Sequence, residues 1–327
     1  MKIKHIIRVF LSLTFVVCQK YGGGPNAFYQ LQTSAREVAL GYTGIASSKG
    51  PFSIYWNPAR ILSEDKKNHV IYSINLPWNK DPFSQSNDSE LGISKGNFSM
   101  ISAGMIKQIE DWSYGLNILY RGFNNITGTH LNVNNEIQEN GTFDYSNGLV
   151  VFSIANRIKA ISTGLSLKYA PNYSPQTNNT PGYGVDFGLS LNITSKIKYG
   201  FVIKLDQHHH KRQIRTGTGV QIGNLEMDIN GGDNMPIEFG SGYELPIGNI
   251  ISLRIGINHS INENFKIQPR FIGFGFGFEN NFGKADGKQG KKLLFDFSYS
   301  YYISDNEQAE YLGLVDYPIK INISYAL

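Results

Sequence analysis

The chain has 327 residues and a formal charge of +4, and because residues 1–18 carry Lys2, Lys4 and Arg8 but no acid, the remainder is left at +1. That near-neutral balance supplies no field for gathering nucleic acid, so no nucleic-acid partner is expected. The one cysteine is Cys18, so no disulfide framework, thiolate metal site or cysteine nucleophile lies beyond it, while 20 Phe, 19 Tyr and 35 Gly suit strands joined by tight turns better than a helical core.

Residues 1–18 have a basic start, a mostly apolar run from Val9 to Val17 and a polar exit at Gln19-Lys20. This is the pattern of a cleaved signal peptide, too short to cross a bilayer, which takes about 20 apolar residues. Cleavage after Cys18 places Val16 and Cys18 where small side chains are wanted; lipidation of Cys18 is the alternative reading. No later segment is an apolar helix long enough to span.

Residues 19–67 form a separate N-terminal segment. Ser34 followed by Glu37 has the spacing of a capping box, and Gly41 is a C-terminal stop, so Ala35 to Leu40 is expected to be a short helix. Asn57 is an N-cap with Pro58 at the first helical position and Ala59 behind it. Turns this short are not stable alone and need a wall to pack on. The segment is therefore expected to be a plug, with Arg36, Glu37 or Arg60 pairing with inward charges such as Asp186 or Glu238.

From residue 68 to 327 the chain repeats ribbons of about ten residues with period-two alternation. Tyr183, Val185, Phe187, Leu189, Leu191 and Ile193 alternate with Gly182, Gly184, Asp186, Gly188, Ser190 and Asn192. Ile197, Tyr199, Phe201, Ile203 and Leu205 repeat the pattern against Lys196, Lys198, Gly200, Val202, Lys204 and Asp206. Successive strand side chains point to opposite faces, so each ribbon has one apolar and one polar side. Similar ribbons start near His69, Phe98, Trp112, Phe143, Ile161, Ile214, Leu225, Ile237, Ile251, Phe271, Leu293 and Pro318, about fourteen in all. Strands of about 9–11 tilted residues cross a bilayer, and bacterial single-chain barrels use even strand counts.

The connections alternate in length. Asp81 to Lys95, Asn124 to Gly141, Pro171 to Thr180 and Ser260 to Pro269 are long. Gln108 to Asp111, Asn156 to Lys159, Thr194-Ser195 and Pro246 to Asn249 are short. Barrels of the outer membrane show this asymmetry, with short periplasmic turns and long external loops. Asn280 to Lys291 is long where a short turn is due. The last ribbon, Ile319, Ile321, Ile323, Tyr325 and Leu327, runs to the last residue and would close the barrel, leaving no open edge in lipid. The fold class expected is all-β: a transmembrane antiparallel barrel of about fourteen strands with a short N-terminal helical plug, in the bacterial outer membrane.

The polar faces carry Lys168, Asp186, Lys204, Glu238, Glu244, Arg254 and Asp296. An Arg or Lys facing lipid at the midplane costs roughly 2–4 kcal/mol, so these charges are expected to face the lumen. Their mixed signs favour internal ion pairs over an ion-selective ring. On the same face, Gly188→Ser is expected to be mild. The triplet His208-His209-His210 reads as part of a solvated external loop, since three consecutive side chains cannot all reach one ion. The glycines Gly273, Gly275 and Gly277 follow strand spacing, with Phe278 where a nucleotide loop would need another glycine. No nucleophile elbow, phosphate loop or metalloprotease helix is present, so no catalytic residue, metal or cofactor is expected.

Leu31 to Arg60 reads LQTSAREVALGYTGIASSKGPFSIYWNPAR. It resembles the N-terminal signature of the PorV/PorQ family, relatives of the FadL-type fatty-acid channels, in the Asn57-Pro58-Ala59 motif and the Trp56 before it. Gly240 to Gly256, Gly273 to Gly277 and Asp296 to Tyr299 are similar to later landmarks of that family. The resemblance implies a fourteen-stranded barrel, and members of the family act with the type IX protein-secretion system. The first functional expectation is therefore a non-enzymatic, partner-binding component of protein secretion or surface attachment. The alternatives are a FadL-like transporter of hydrophobic small molecules and a structural barrel. Expected partners are outer-membrane lipids, secretion-system or secreted proteins, and a hydrophobic ligand.

Overall fold

A computed structural model describes residues 34–62, 69–78, 97–131, 137–173, 181–208, 211–232, 235–261, 267–282, 291–302 and 319–326. The expected signal segment with Cys18, the connection Asp81 to Lys95, and His209 and His210 lie outside the described residues.

Fourteen strands form the wall. They are β1 (His69–Trp78), β2 (Asn97–Ile109), β3 (Trp112–Leu131), β4 (Ile137–Ile158), β5 (Ile161–Ala170), β6 (Gly182–Asn192) and β7 (Ile197–His208). The second half comprises β8 (Lys211–Ile222), β9 (Leu225–Gly232), β10 (Met235–Ile247), β11 (Ile251–Ile261), β12 (Ile267–Phe282), β13 (Lys291–Tyr302) and β14 (Ile319–Ala326). A two-residue piece, Asn172–Tyr173, pairs with β4 and continues the line of β5 past Pro171. Each strand pairs antiparallel with its neighbours in sequence, and β1 pairs with β14 from Ile71↔Ala326 to Trp78↔Ile319. The sheet is thus a closed antiparallel barrel, with its backbone groups paired within the wall as a hydrocarbon layer requires.

The period-two pattern sets the two faces. On β6, Tyr183, Val185 and Phe187 are exposed on the outside, while Gly184, Asp186, Gly188 and Ser190 are buried on the inside. β5 shows the same alternation, with Leu165, Leu167 and Tyr169 outward and Ser166 and Lys168 inward. Among the described residues no helix is long and apolar enough to cross a membrane, so the apolar surface belongs to the strands.

Two connections differ from the sequence expectation. Most of Asn124 to Gly141 is strand, because β3 runs on to Leu131 and β4 starts at Ile137, with register shifts near Phe123/Ile126 and Thr127/Thr129. Among the described residues β2 pairs with β3 as far as Asn124, and the β5 line pairs with β4 as far as Ser146. At the histidine triplet β7 reaches His208 and β8 starts at Lys211, and these two residues pair.

Residues 34–62 lie inside the barrel. They comprise helix α1 (Ala35–Ala39) and two 3-10 turns, Pro51–Tyr55 and Pro58–Ile61, all buried. Their wall contacts fall near the short-turn ends of strands, at Ser113 on β3, Gly164 on β5 and Gly200 on β7. His69 pairs with Gln108 beside a short turn, so the chain passes from plug to wall at that same end.

Candidate functional site

The plug is seated on backbone, and glycines in the wall make the room. Val38 to Gly41 lies against Gly240 and Gly242 of β10, Gly256 of β11, and Gly273 and Gly275 of β12. A Cβ built at Gly242 would lie 2.7 Å from the Leu40 Cα, and one at Gly273 2.5 Å from the Val38 carbonyl oxygen. On the opposite wall Gly164 and Gly188 admit Pro58 and Ala59, and Gly200 admits Ile45 and Ala46. The glycine alternation at Gly273, Gly275 and Gly277 therefore has a role beyond strand spacing: Gly273 takes the plug backbone and Gly275 the Ala39 methyl.

α1 ends by local rules but begins without one. Gly41, at φ +74°, follows the C-cap Leu40, a backbone region that side chains with a Cβ rarely adopt. Ser34 stands at the N-cap, yet its hydroxyl makes no cap bond, so the expected capping box is not formed. That hydroxyl instead accepts from Asn322 Nδ2 of β14 at 3.3 Å, because burial brings wall donors within reach. At the second turn Asn57 Oδ1 accepts from Ala59 N at 3.0 Å. Its Nδ2 donates to the Ile45 carbonyl at 2.9 Å and to the Leu189 carbonyl of β6 at 3.0 Å. Asn57 thus ties both halves of the plug to the wall, and Pro58 behind it removes a donor that would have no helical partner.

Two networks of buried charge flank the plug. In the first, Arg36 meets Glu37 at 3.0 Å, Glu226 of β9 at 2.6 Å and Glu244 of β10 at 2.8 Å. Glu244 also pairs with Arg254 of β11 at 2.7 Å, and Arg254 with Asp296 of β13 at 2.6 Å. Burial works against the Arg36 charge, but Glu226, Glu244 and Glu37 outweigh it and hold the guanidinium firmly protonated. For Glu37 burial prevails over Arg36 and the Ser34 hydroxyl and raises its carboxyl above the usual value. Ser47 donates to Glu226, and Asp228 of β9 accepts the amides of Gly44 and Ile45 at 2.6 and 2.8 Å. In the second network Lys168 of β5 meets Asp186 of β6 at 2.6 Å and Asp206 of β7 at 2.7 Å, and Arg215 of β8 pairs with Asp206. Lys204 of β7 donates to the Tyr55 carbonyl, and the Tyr55 hydroxyl donates to Asn117 of β3 at 2.6 Å. Burial pushes the Tyr55 hydroxyl well above its usual range, so it stays a donor.

The partners differ from those expected from the sequence. Asp186 is taken by Lys168 and Glu238 by Arg270, both wall cations, while Arg36 goes to Glu226 and Glu244 and Arg60 to Ser190. Glu226 and Asp228 were overlooked, although they stand two apart on the polar face of β9, between Leu225, Met227 and Ile229. Among the described residues no three His, Cys, Asp or Glu side chains converge as a metal site requires.

No family model and no curated protein matches the chain. Among solved structures, the Pseudomonas putida toluene transporter TodX aligns over 95% of this chain and 98% of that one, at 11% identity and a TM-score of 0.51. A Pseudomonas aeruginosa FadL homologue aligns over 90% and 97% at 8% identity and a TM-score of 0.47. The Ralstonia pickettii toluene transporter TbuX aligns over 91% and 98% at 14% identity and a TM-score of 0.42. At such identities the likeness to TodX is one of fold alone: the chain shares the closed β-barrel of that transporter.

Proposed function

We propose that the protein is a non-enzymatic conduit of the bacterial outer membrane for hydrophobic small molecules. The observation that carries this reading is the plug: a buried segment, seated on glycines and held by ion pairs, occupies the lumen of a barrel whose fold is shared with a toluene transporter. A pore for water-soluble solutes keeps a polar, open channel. The test is uptake of radiolabelled toluene and of glucose by cells carrying the protein or an unrelated barrel. Toluene uptake should rise severalfold and glucose uptake should not; equal uptake of toluene by both strains overturns the reading.

The second reading is the PorV/PorQ one, a partner-binding component of protein secretion or surface attachment. It is favoured by the way the stretches that carry the resemblance meet in space: Leu40 and Gly41 from the first lie against Gly242 and Gly256 from the second, and Val38 against Gly273 from the third. Gentle purification should then bring down secretion-system or secreted proteins, whereas a conduit comes down with lipid-like ligands. In either case residues 1–18 are read as a signal peptide, so the purified chain should begin at Gln19 and fractionate with outer-membrane lipids. A purely structural barrel would show neither uptake nor partners.

A further inference from the structure

Paired residues of β5, β6, β7 and β8 stand in level rows on the outer face. Tyr169 pairs with Tyr183, Tyr183 with Gln207, and Gln207 with Arg212. All four are exposed, and their row lies at the end of the barrel away from the short turns. The two tyrosine rings are 5.6 Å apart. Beneath them Leu167, Val185, Leu205 and Ile214 pair in the same way, and they are exposed too. The acids of these four strands, Asp186 and Asp206, point inward and are taken by Lys168 and Arg215, so no carboxylate of theirs shares the outer row. Among the described residues Arg212 has no acidic partner, whereas Arg270, at the same end of the wall, is held by Glu238.

Below the apolar row the surface dips. The outward side chains of Thr216 and Thr218 on β8 are each only 6% exposed, between Ile203 and Phe201 of β7 on one side and Gly231 and Ile229 of β9 on the other. Gly231, level with Thr216, has no side chain to fill the dip. Thr218 is hydrogen-bonded to the Tyr199 hydroxyl at 2.5 Å, whereas the Thr216 Oγ1 has no partner. Bare hydrocarbon leaves that hydroxyl unpaired at a cost, so an acyl chain that carries oxygen fits the trough better.

We propose that this face, from Tyr169 across to Arg212 and down the β8 trough, holds a phosphorylated glycolipid of the outer leaflet. Arg212 meets a phosphate with the fork of its guanidinium, and Gln207 and the tyrosine hydroxyls meet the sugar. The acyl chains lie on the apolar row and in the trough. Four strands span roughly 14 Å at the usual strand spacing, a width that suits a lipid with several chains and a broad head better than one with a single chain. A phospholipid without a sugar engages Arg212 and leaves the rest of the row to water. The site is on the lipid side of the wall and stands whether the lumen passes small molecules or not.

The test measures lipid binding by the full barrel in phosphatidylcholine nanodiscs, with bisphosphorylated lipid A, dephosphorylated lipid A and phosphatidylglycerol as probes. The parent should bind bisphosphorylated lipid A at least about tenfold more tightly than either of the others, a factor within reach of one charge-assisted contact. Arg212→Gln should lose the preference for phosphate, and Thr216→Phe, which fills the trough, should weaken both forms of lipid A alike. Lys196→Gln removes an exposed cation at the short-turn end of the same wall and should bind as the parent does. Equal binding of phosphatidylglycerol by the parent reduces the row to a charged rim and overturns the glycolipid, as does pairing of barrels in place of lipid binding. An Arg212→Gln barrel that keeps the phosphate preference overturns the headgroup placement. Tyr183→Ala, on the exposed row, keeps the site testable if Thr216→Phe does not fold: lipid A binding should weaken, and unchanged binding rejects the sugar contact.

Discussion

Arg36→Met removes the cation at the centre of the first network while keeping most of its volume. The Arg36 side chain is 6% exposed and lies within 3.0 Å of three carboxylates. Breaking a buried ion pair by deleting one partner costs about 3–5 kcal/mol, which displaces an equilibrium by two to nearly four powers of ten. Glu244 retains Arg254 at 2.7 Å, so most of the cost falls on Glu226, whose remaining described bonds are from the Ser47 hydroxyl and, at 3.3 Å, the Thr43 hydroxyl. The seated plug should lose that amount relative to the unseated one, with the barrel intact. Single-channel conductance in planar bilayers should rise, and the Gly44 and Ile45 amides, bonded to Asp228 in the seated state, should lose protection from hydrogen exchange. Adding Glu226→Gln removes the stranded charge and should restore a large part of the seating. If Arg36→Met conducts and exchanges like the parent, the ion pairs do not hold the plug.

Phe187, 44% exposed on the outer face of β6, should tolerate Arg poorly, with a loss of up to about 4 kcal/mol in equilibrium folding into micelles; a loss below 1 kcal/mol would put that residue off the lipid. Gly188→Ser, which the alternation alone marks as mild, should leave the barrel folded but raise its conductance, because a Cβ there would stand 2.8 Å from the Pro58 Cδ. Deleting Ile323 to Leu327 unpairs Ile71 to Ile74 of β1 and Lys292 to Phe295 of β13, and should abolish the heat-modifiable folded band on gels; normal migration would refute β14 as the closing strand. Glu37, raised by burial above its usual 4.5, favours the seated plug at low pH and loses that contribution as pH rises through its raised value. Glu37→Gln should therefore make conductance less dependent on pH above about 4.5 and lower at pH 7; a steeper pH dependence would contradict the assignment.

The wall was legible because two solvents write on it. Lipid on one side and a polar interior on the other force the period of two, which is why the β6 and β7 ribbons could be assigned residue by residue. Where the pairing is irregular, so is the signal: β3 and β4 shift register near Phe123/Ile126 and Thr127/Thr129, and Asn124 to Gly141 accordingly reads as a loop. For the plug, short-range chemistry revealed Gly41 and the Asn57-Pro58 start, both set by local backbone geometry. The partners were not legible. Alternation says that Glu226, Glu244, Asp186 and Glu238 share the inner face, but not which of them lies level with Arg36, which depends on strand stagger around the closed barrel. Gly273 and Gly275 read as strand spacing for a similar reason, since their purpose lies in a segment more than two hundred residues away.

The size of a hydrophobic ligand limits how such a barrel can open. Releasing the whole plug means breaking Arg36 from its carboxylates at about 3–5 kcal/mol, together with the two amide bonds to Asp228 at about 1.5–3 kcal/mol each, before the buried Tyr42, Trp56 and Ile61 are counted. A monoaromatic hydrocarbon of about seven carbon atoms yields at most about 1.5 kcal/mol per atom, and that ceiling already includes the cost of its own immobilisation. It has no means of compensating a stranded carboxylate, because it offers neither charge nor donor. A ligand of this kind therefore cannot by its own binding offset release of the ion pairs, which keep the plug in register.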